Sequence, residues 1–112
     1  MPNEGSRPRA GKYRHRVYLQ APAKTYDGEG QEVITWTTVG TVWAEIVPLT
    51  GKEYFAAKAV NSELTHEAHI RYRRNVQTTW RILYGQRALE IISVADVEEK
   101  HIELELLCKE VV

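Results

Sequence analysis

His66 and His69 are the first residues to test for chemistry, because histidines three apart are a useful ligand spacing on a helix. They lie, however, in Leu64 to Arg73 (LTHEAHIRYR), a stretch that alternates apolar and polar residues with the period of a strand. Three apart on a strand means opposite faces, so one metal cannot readily take both. His66 is expected at the core edge with a hydrogen-bond partner, His69 in solvent, and no metal or other cofactor is expected. Cys108, the single cysteine, falls on the apolar face of the last strand. A nucleophile needs a lowered pKa and a nearby base, and no pattern here supplies either. Glu98, Glu99, Glu103 and Glu105 form an acidic run whose carboxylates could pair for acid–base work. Alternating strand positions facing water account for them more simply. No catalytic residue is expected.

The basic residues offer binding rather than reaction. Arg14 and Arg16, with Arg7, Arg9 and Lys12, form one group, and Arg71, Arg73 and Arg74 form another. Either group could touch phosphate or an acidic protein surface. Asp27-Gly28-Glu29-Gly30 lacks the lysine and the strand–helix order of a phosphate loop. Trp36, Trp43 and Trp80 all fall in expected strands, as core or subunit-interface anchors rather than a base-stacking platform.

These side chains need a β framework. Met1 to Gly11 holds two prolines and two glycines and no large apolar residue after the first methionine, which predicts a flexible arm. A first strand with Val17 and Leu19 inward is expected to end before Pro22. Thr25 to Gln31 (TYDGEGQ) reads as a hairpin connection. Glu32 to Thr38 and Thr41 to Val47 read as two further strands joined by a tight turn at Gly40. Leu49 to Asn61 (LTGKEYFAAKAVN) breaks the β texture with three alanines and predicts a short helix. Strands follow at Leu64 to Arg73, Trp80 to Tyr84, Arg87 to Val94, and around Ile102 to Cys108. The expectation is a mainly β chain: a small antiparallel barrel or sandwich of six to seven strands with one short helical insertion. One domain spans residues 12–112.

Composition narrows the function. Fifteen basic residues balance fifteen acidic ones, so the net charge is zero. That argues against a dedicated nucleic-acid binder or an anionic-membrane protein, both of which draw affinity from a basic excess. A lone cysteine allows no intramolecular disulfide, and no apolar run reaches the length of a membrane span. The polar N-terminus lacks a secretory h-region, so synthesis in a cytoplasm is expected.

Taken in order, several segments resemble the phage head–tail joining proteins, also called head-closure or stopper proteins. They are RHRVYLQ at Arg14 to Gln20, Thr35-Trp36, VWA at Val42 to Ala44, and PLTGKE at Pro48 to Glu53. Ala56-Ala57, THEAHIRYR at Thr65 to Arg73, Arg81 with Tyr84-Gly85, Glu90-Ile91 and ELELLC at Glu103 to Cys108 follow. The likeness runs from about Lys12 to Glu110. It implies a non-catalytic barrel in a homo-oligomeric ring of about twelve copies at the virion neck, made in the host cytoplasm. Portal or adaptor subunits would lie above that ring and tail proteins below. In stopper members the inserted segment projects into the channel and retains DNA. That implies Glu53, Tyr54, Phe55 and Lys58 as lumen or subunit-contact residues, and Arg14, Arg16, Arg71, Arg73 and Arg74 as partner or transient DNA contacts. A helix that only plugs the barrel end is the competing reading of that segment. The competing function is an OB-like nucleic-acid-binding barrel; a neck protein of a gene-transfer particle or defective prophage is a variant of the first.

Overall fold

A computed structural model describes residues 11–50 and 63–111. Six strands are present: β1 (His15–Tyr26), β2 (Glu32–Pro48), β3 (His66–Arg71), β4 (Arg81–Tyr84), β5 (Arg87–Asp96) and β6 (Glu103–Val111). A single 3-10 turn, Val97–Glu99, separates β5 from β6. The expected arm lies mostly, and the expected helical insertion largely, outside the described residues.

All pairings are antiparallel, and the sheet closes in the order β1-β2-β3-β6-β5-β4. Two three-stranded meanders, β1-β2-β3 and β4-β5-β6, are joined along β1–β4 and β3–β6. Strand alternation decides what faces inward. Val17 and Leu19, Ala68 and Ile70, Leu89 and Ile91, and Leu104, Leu106 and Cys108 are all buried, with Ala44 and Ile82 completing the core. Tyr72, Trp80 and Tyr84 pack against its margin.

Two expectations at β1 and β2 need correcting. Gly40 is not a turn: β2 runs unbroken for 17 residues, and the register slips between Leu19↔Gly40 and Gln20↔Thr38. Val39 is the extra residue of a β-bulge, which bends one long strand instead of ending it. Glycine fits there because a Cβ would overlap the Arg73 guanidinium, which lies against the backbone. Nor does β1 end before Pro22. It continues to Tyr26, and Pro22 sits just beyond Gln20, the last residue paired to β4. There β1 has an open edge, where a missing N–H leaves no ladder bond unmade.

The outcome is a two-stranded ribbon, Ala21–Tyr26 against Glu32–Thr37, that leaves the barrel. At ~3.3 Å per residue it reaches roughly 20 Å. Its tip is fixed as expected. Asp27 Oδ1 accepts hydrogen bonds from the amides of Glu29 (2.8 Å) and Gln31 (2.9 Å), and Gly30 takes a positive φ. Tyr26, Val33 and Ile34 are exposed along it.

Since the core holds no ribbon side chain, the ribbon is expected to be dispensable for folding. Joining Ala21 directly to Thr37 through Asn-Gly should leave a cooperative thermal transition, with no more than about 1 kcal/mol lost. Leu106→Ala, deep in the core, should instead cost ~2–5 kcal/mol in the same measurement.

Candidate functional site

The residues with catalytic potential are used structurally. Cys108 is wholly buried, and burial pushes its thiol up to about 12, so thiolate is scarce at neutral pH. His66 is buried on the inward face of β3. Arg87 Nη2 lies 3.2 Å from its Nε2, and its Nδ1 is 2.9 Å from Thr65 Oγ1. An arginine can only donate, so Nε2 accepts and the proton sits on Nδ1. Burial, aided by the Arg87 charge, lowers the pKa of His66.

On the other face of β3 the acidic run departs from expectation. Glu103 is only 7% exposed. Its carboxylate accepts from Tyr13 Oη (2.6 Å) and Lys12 Nζ (2.8 Å), and meets His69 Nδ1 at 2.9 Å. The segment ahead of β1 therefore folds over β6 and β3, covering a position that alternation alone assigns to solvent. Burial by itself would raise the Glu103 carboxyl, but the hydrogen bonds from Lys12, Tyr13 and His69 outweigh it and hold it low. His69, expected in solvent, is partly buried, with Nε2 at 2.6 Å from Glu67 Oε1.

Glu105 completes a group in which ligand atoms of Glu67, His69 and Glu105 lie within 4.8 Å of one another. A histidine and two carboxylates at that spacing are ligand types for a divalent cation. The sequence reading missed it because Glu105 comes from β6, far along the chain. In the fold both ring nitrogens of His69 already face carboxylates. Glu105 is pushed upward by burial first and by the Glu67 charge second.

The arginines divide among separate places. Arg16 is exposed and stacks on Trp43, its guanidinium 5.2 Å from the ring centroid. Arg14 is exposed next to it and donates to the Gly11 carbonyl. Arg71 stacks on Tyr13 at 5.0 Å, Arg73 lies against Gly40, and Arg74 is exposed in the β3–β4 loop. Of the tryptophans only Trp80 packs against the core; Trp43 is 51% exposed. Trp36 lies under Arg81 at 4.3 Å, and Arg81 Nε donates to Gln20 Oε1 at 2.8 Å. Arg81 was not among the expected contacts, because only strand closure brings it beside β1. Glu53, Tyr54, Phe55 and Lys58 lie outside the described residues.

Glu103 and Glu105 stand two residues apart with opposite electrostatics, which sets opposite expectations. Glu103→Gln should destabilise the chain by ~2 kcal/mol at pH 7, since Lys12, Tyr13 and His69 lose a charged acceptor. A depressed carboxyl stabilises above its usual pKa of 4.5 and loses that contribution as pH falls through the lower native value. The deficit should therefore shrink as the pH falls below that usual value. Glu105→Gln should leave the melting temperature unchanged or raise it at pH 7, because it removes a carboxylate whose ionisation the fold opposes. Thermal denaturation of both variants across pH checks the pair, and equal losses at neutral pH would contradict it.

Comparison with known proteins gives a consistent result. The sequence matches the phage head completion protein family over residues 8–111. It is 28% identical over 104 residues to head completion protein gp7 of Enterobacteria phage HK97, covering 88% of this chain and 93% of that protein. The fold is similar to the solution structure of protein SF1141 from Shigella flexneri 2a, with a TM-score of 0.69 and 31% identity over 90% of this chain and 95% of that one. A chain from the virion of a native gene transfer agent particle shares the fold at a TM-score of 0.65 and 22% identity, covering 95% and 99% of the two chains. With a match that spans the whole barrel, the chain belongs to the phage head completion proteins, a family of virion structural proteins and not of enzymes.

Proposed function

We propose that this protein is a subunit of the phage neck, where a homo-oligomeric ring of about a dozen copies joins the DNA-filled head to the tail. The observation that carries this reading is the family match from residue 8 to residue 111, which takes in every described strand. Portal or adaptor subunits meet one side of the ring and tail proteins the other. The chain is made in the host cytoplasm and ends in the virion.

The channel role falls to the segment between β2 and β3, which carries Glu53, Tyr54, Phe55 and Lys58. Its two stems are anchored: Leu49 and Leu64 are both buried, and the Leu49 amide donates to the Thr65 carbonyl at 3.1 Å. Those anchored ends support assigning the segment between them to closure of the DNA channel. Zero net charge fits a lining that the genome must pass, since tight phosphate binding would oppose exit. Exposed Arg14, Arg16, Arg71 and Arg74 allow brief contact with double-stranded DNA or with acidic partner surfaces.

Electron microscopy of particles whose reading frame for this chain is disrupted tests the proposal. Separate heads and complete free tails are expected, and heads that have leaked their DNA would identify channel closure as well. Normal tailed particles would overturn the reading and make single-strand binding, the property of an OB-like barrel, the next assay.

A further inference from the structure

Two surfaces of opposite character lie on the outside of the barrel. On the outer face of β1, Arg16 pairs across to Trp43, Tyr18 pairs with Thr41 and Leu83, and Gln20 pairs with Arg81. Arg16 over Trp43 and Arg81 over Trp36 present two guanidinium planes backed by indoles, with Tyr18 (43% exposed) between them. Arg14 extends the positive edge, and Glu90, the cross-strand partner of Arg81, borders it. Arginine, tryptophan and tyrosine are the residue types that dominate binding energy at protein interfaces.

The other surface is the corner between β5 and β6. It carries Asp96, Glu98 and Glu99 against Lys100, which pairs with Glu98 at 2.7 Å. Glu98, Glu99 and His101 all have positive φ, at 54°, 57° and 57°. For residues with side chains that conformation costs ~1 kcal/mol or more each, and it persists where surrounding contacts enforce it. Asp96 enforces it here: its carboxylate accepts from the His101 amide at 3.0 Å and bonds the His101 ring, which in turn rests on Tyr72. The corner is a rigid acidic knob.

Their placement is what gives the pair meaning. In the closed order β1-β2-β3-β6-β5-β4 the centre of the basic face, β1, is three strands from β6, so the two surfaces are separate patches of one chain. One row of cross-strand partners, His15↔Ala44↔Ile70↔Leu104↔Asp96, links the start of β1 to the acidic corner. Two different patches that bind one another between copies make a head-to-tail contact, which generates a ring where the rotation closes. We infer that the acidic corner Glu98–Glu99 of one copy docks on the Arg16–Trp43–Tyr18–Arg81 face of the next. The partner is a second copy of this chain, chosen by charge complementarity, and the inference rests on the ring reading above. The contact uses neither Glu103, which is buried within its own chain, nor Arg73, which is held against Gly40.

Charge exchange in assembling particles tests it. Glu98→Lys with Glu99→Lys should reduce joined particles about tenfold or more, as should Arg16→Glu with Arg81→Glu. Both pairs of substitutions in one chain should restore joining, because each copy then offers a basic corner to an acidic face. The purified variants should keep a cooperative melt, which separates a lost contact from a lost fold. As a second measurement, Tyr18→Cys with Glu99→Cys in one chain should give a ladder of disulfide-linked oligomers from oxidised particles, and either cysteine alone should give none. Joined particles from the Glu98/Glu99 variant, or joined particles without a ladder, would overturn the contact while leaving the neck reading intact. Joined particles after complete disruption of the gene would overturn both.

Discussion

Between Tyr18 and Gln20 the first strand has two neighbours to satisfy, and the rest of the molecule follows from how it does so. On one side it pairs with β2, on the other with β4, and the β4 contact spans only Tyr18, Leu19 and Gln20. That short seam closes the sheet, removes the open edges of both meanders and encloses Leu19 completely. Directly after it the register slips by one residue and β1 and β2 continue without β4. Barrel and ribbon are therefore one pair of strands used in two ways, and the bulge at Val39 is the boundary between them.

The same closure explains where polar residues could be placed. Lys12 and Tyr13 precede β1, and because β1 is fixed against β2 they reach back over β3 and β6 to Glu103, about ninety positions away. A carboxylate that strand alternation directs toward water becomes the centre of a satisfied network, and no buried side-chain nitrogen or oxygen among the described residues lacks a partner. Such a network tolerates little loss, since removing one member strands the others in a poor solvent. The same packing seals the thiol in the core and sets the inward histidine to accept from an arginine. On the described surface stand stacked arginine, exposed aromatic rings and an acidic corner, which are means of recognition.

Much of the fold was legible in the residues. Alternation in Leu64 to Arg73 and in Ile102 to Cys108 assigned β3 and β6 with the correct face inward, and the period-two argument rightly separated His66 from His69. The Asp-Gly pair and second glycine of Thr25 to Gln31 marked the hairpin tip, and the structure shows how it is held: Asp27 caps the turn and Gly30 takes a positive φ. Gly40 and Pro22 misled because each is a common strand breaker, and here each occupies the one strand position where its peculiarity is harmless.

The class of the protein is written in its residues. Period-two patterning and turn residues specify a small β domain, and the ordered segments from RHRVYLQ to ELELLC carry the family. Those are local or additive properties, readable without knowing what touches what. Strand order, the depth at which Glu103 and His69 sit, and the assembly of Arg16, Trp43, Tyr18 and Arg81 into one face belong to the tertiary structure alone. Each depends on pairings between residues far apart in the chain, such as β4 with β1 across some sixty positions, and loop closure over such distances leaves no local mark on the residues it brings together.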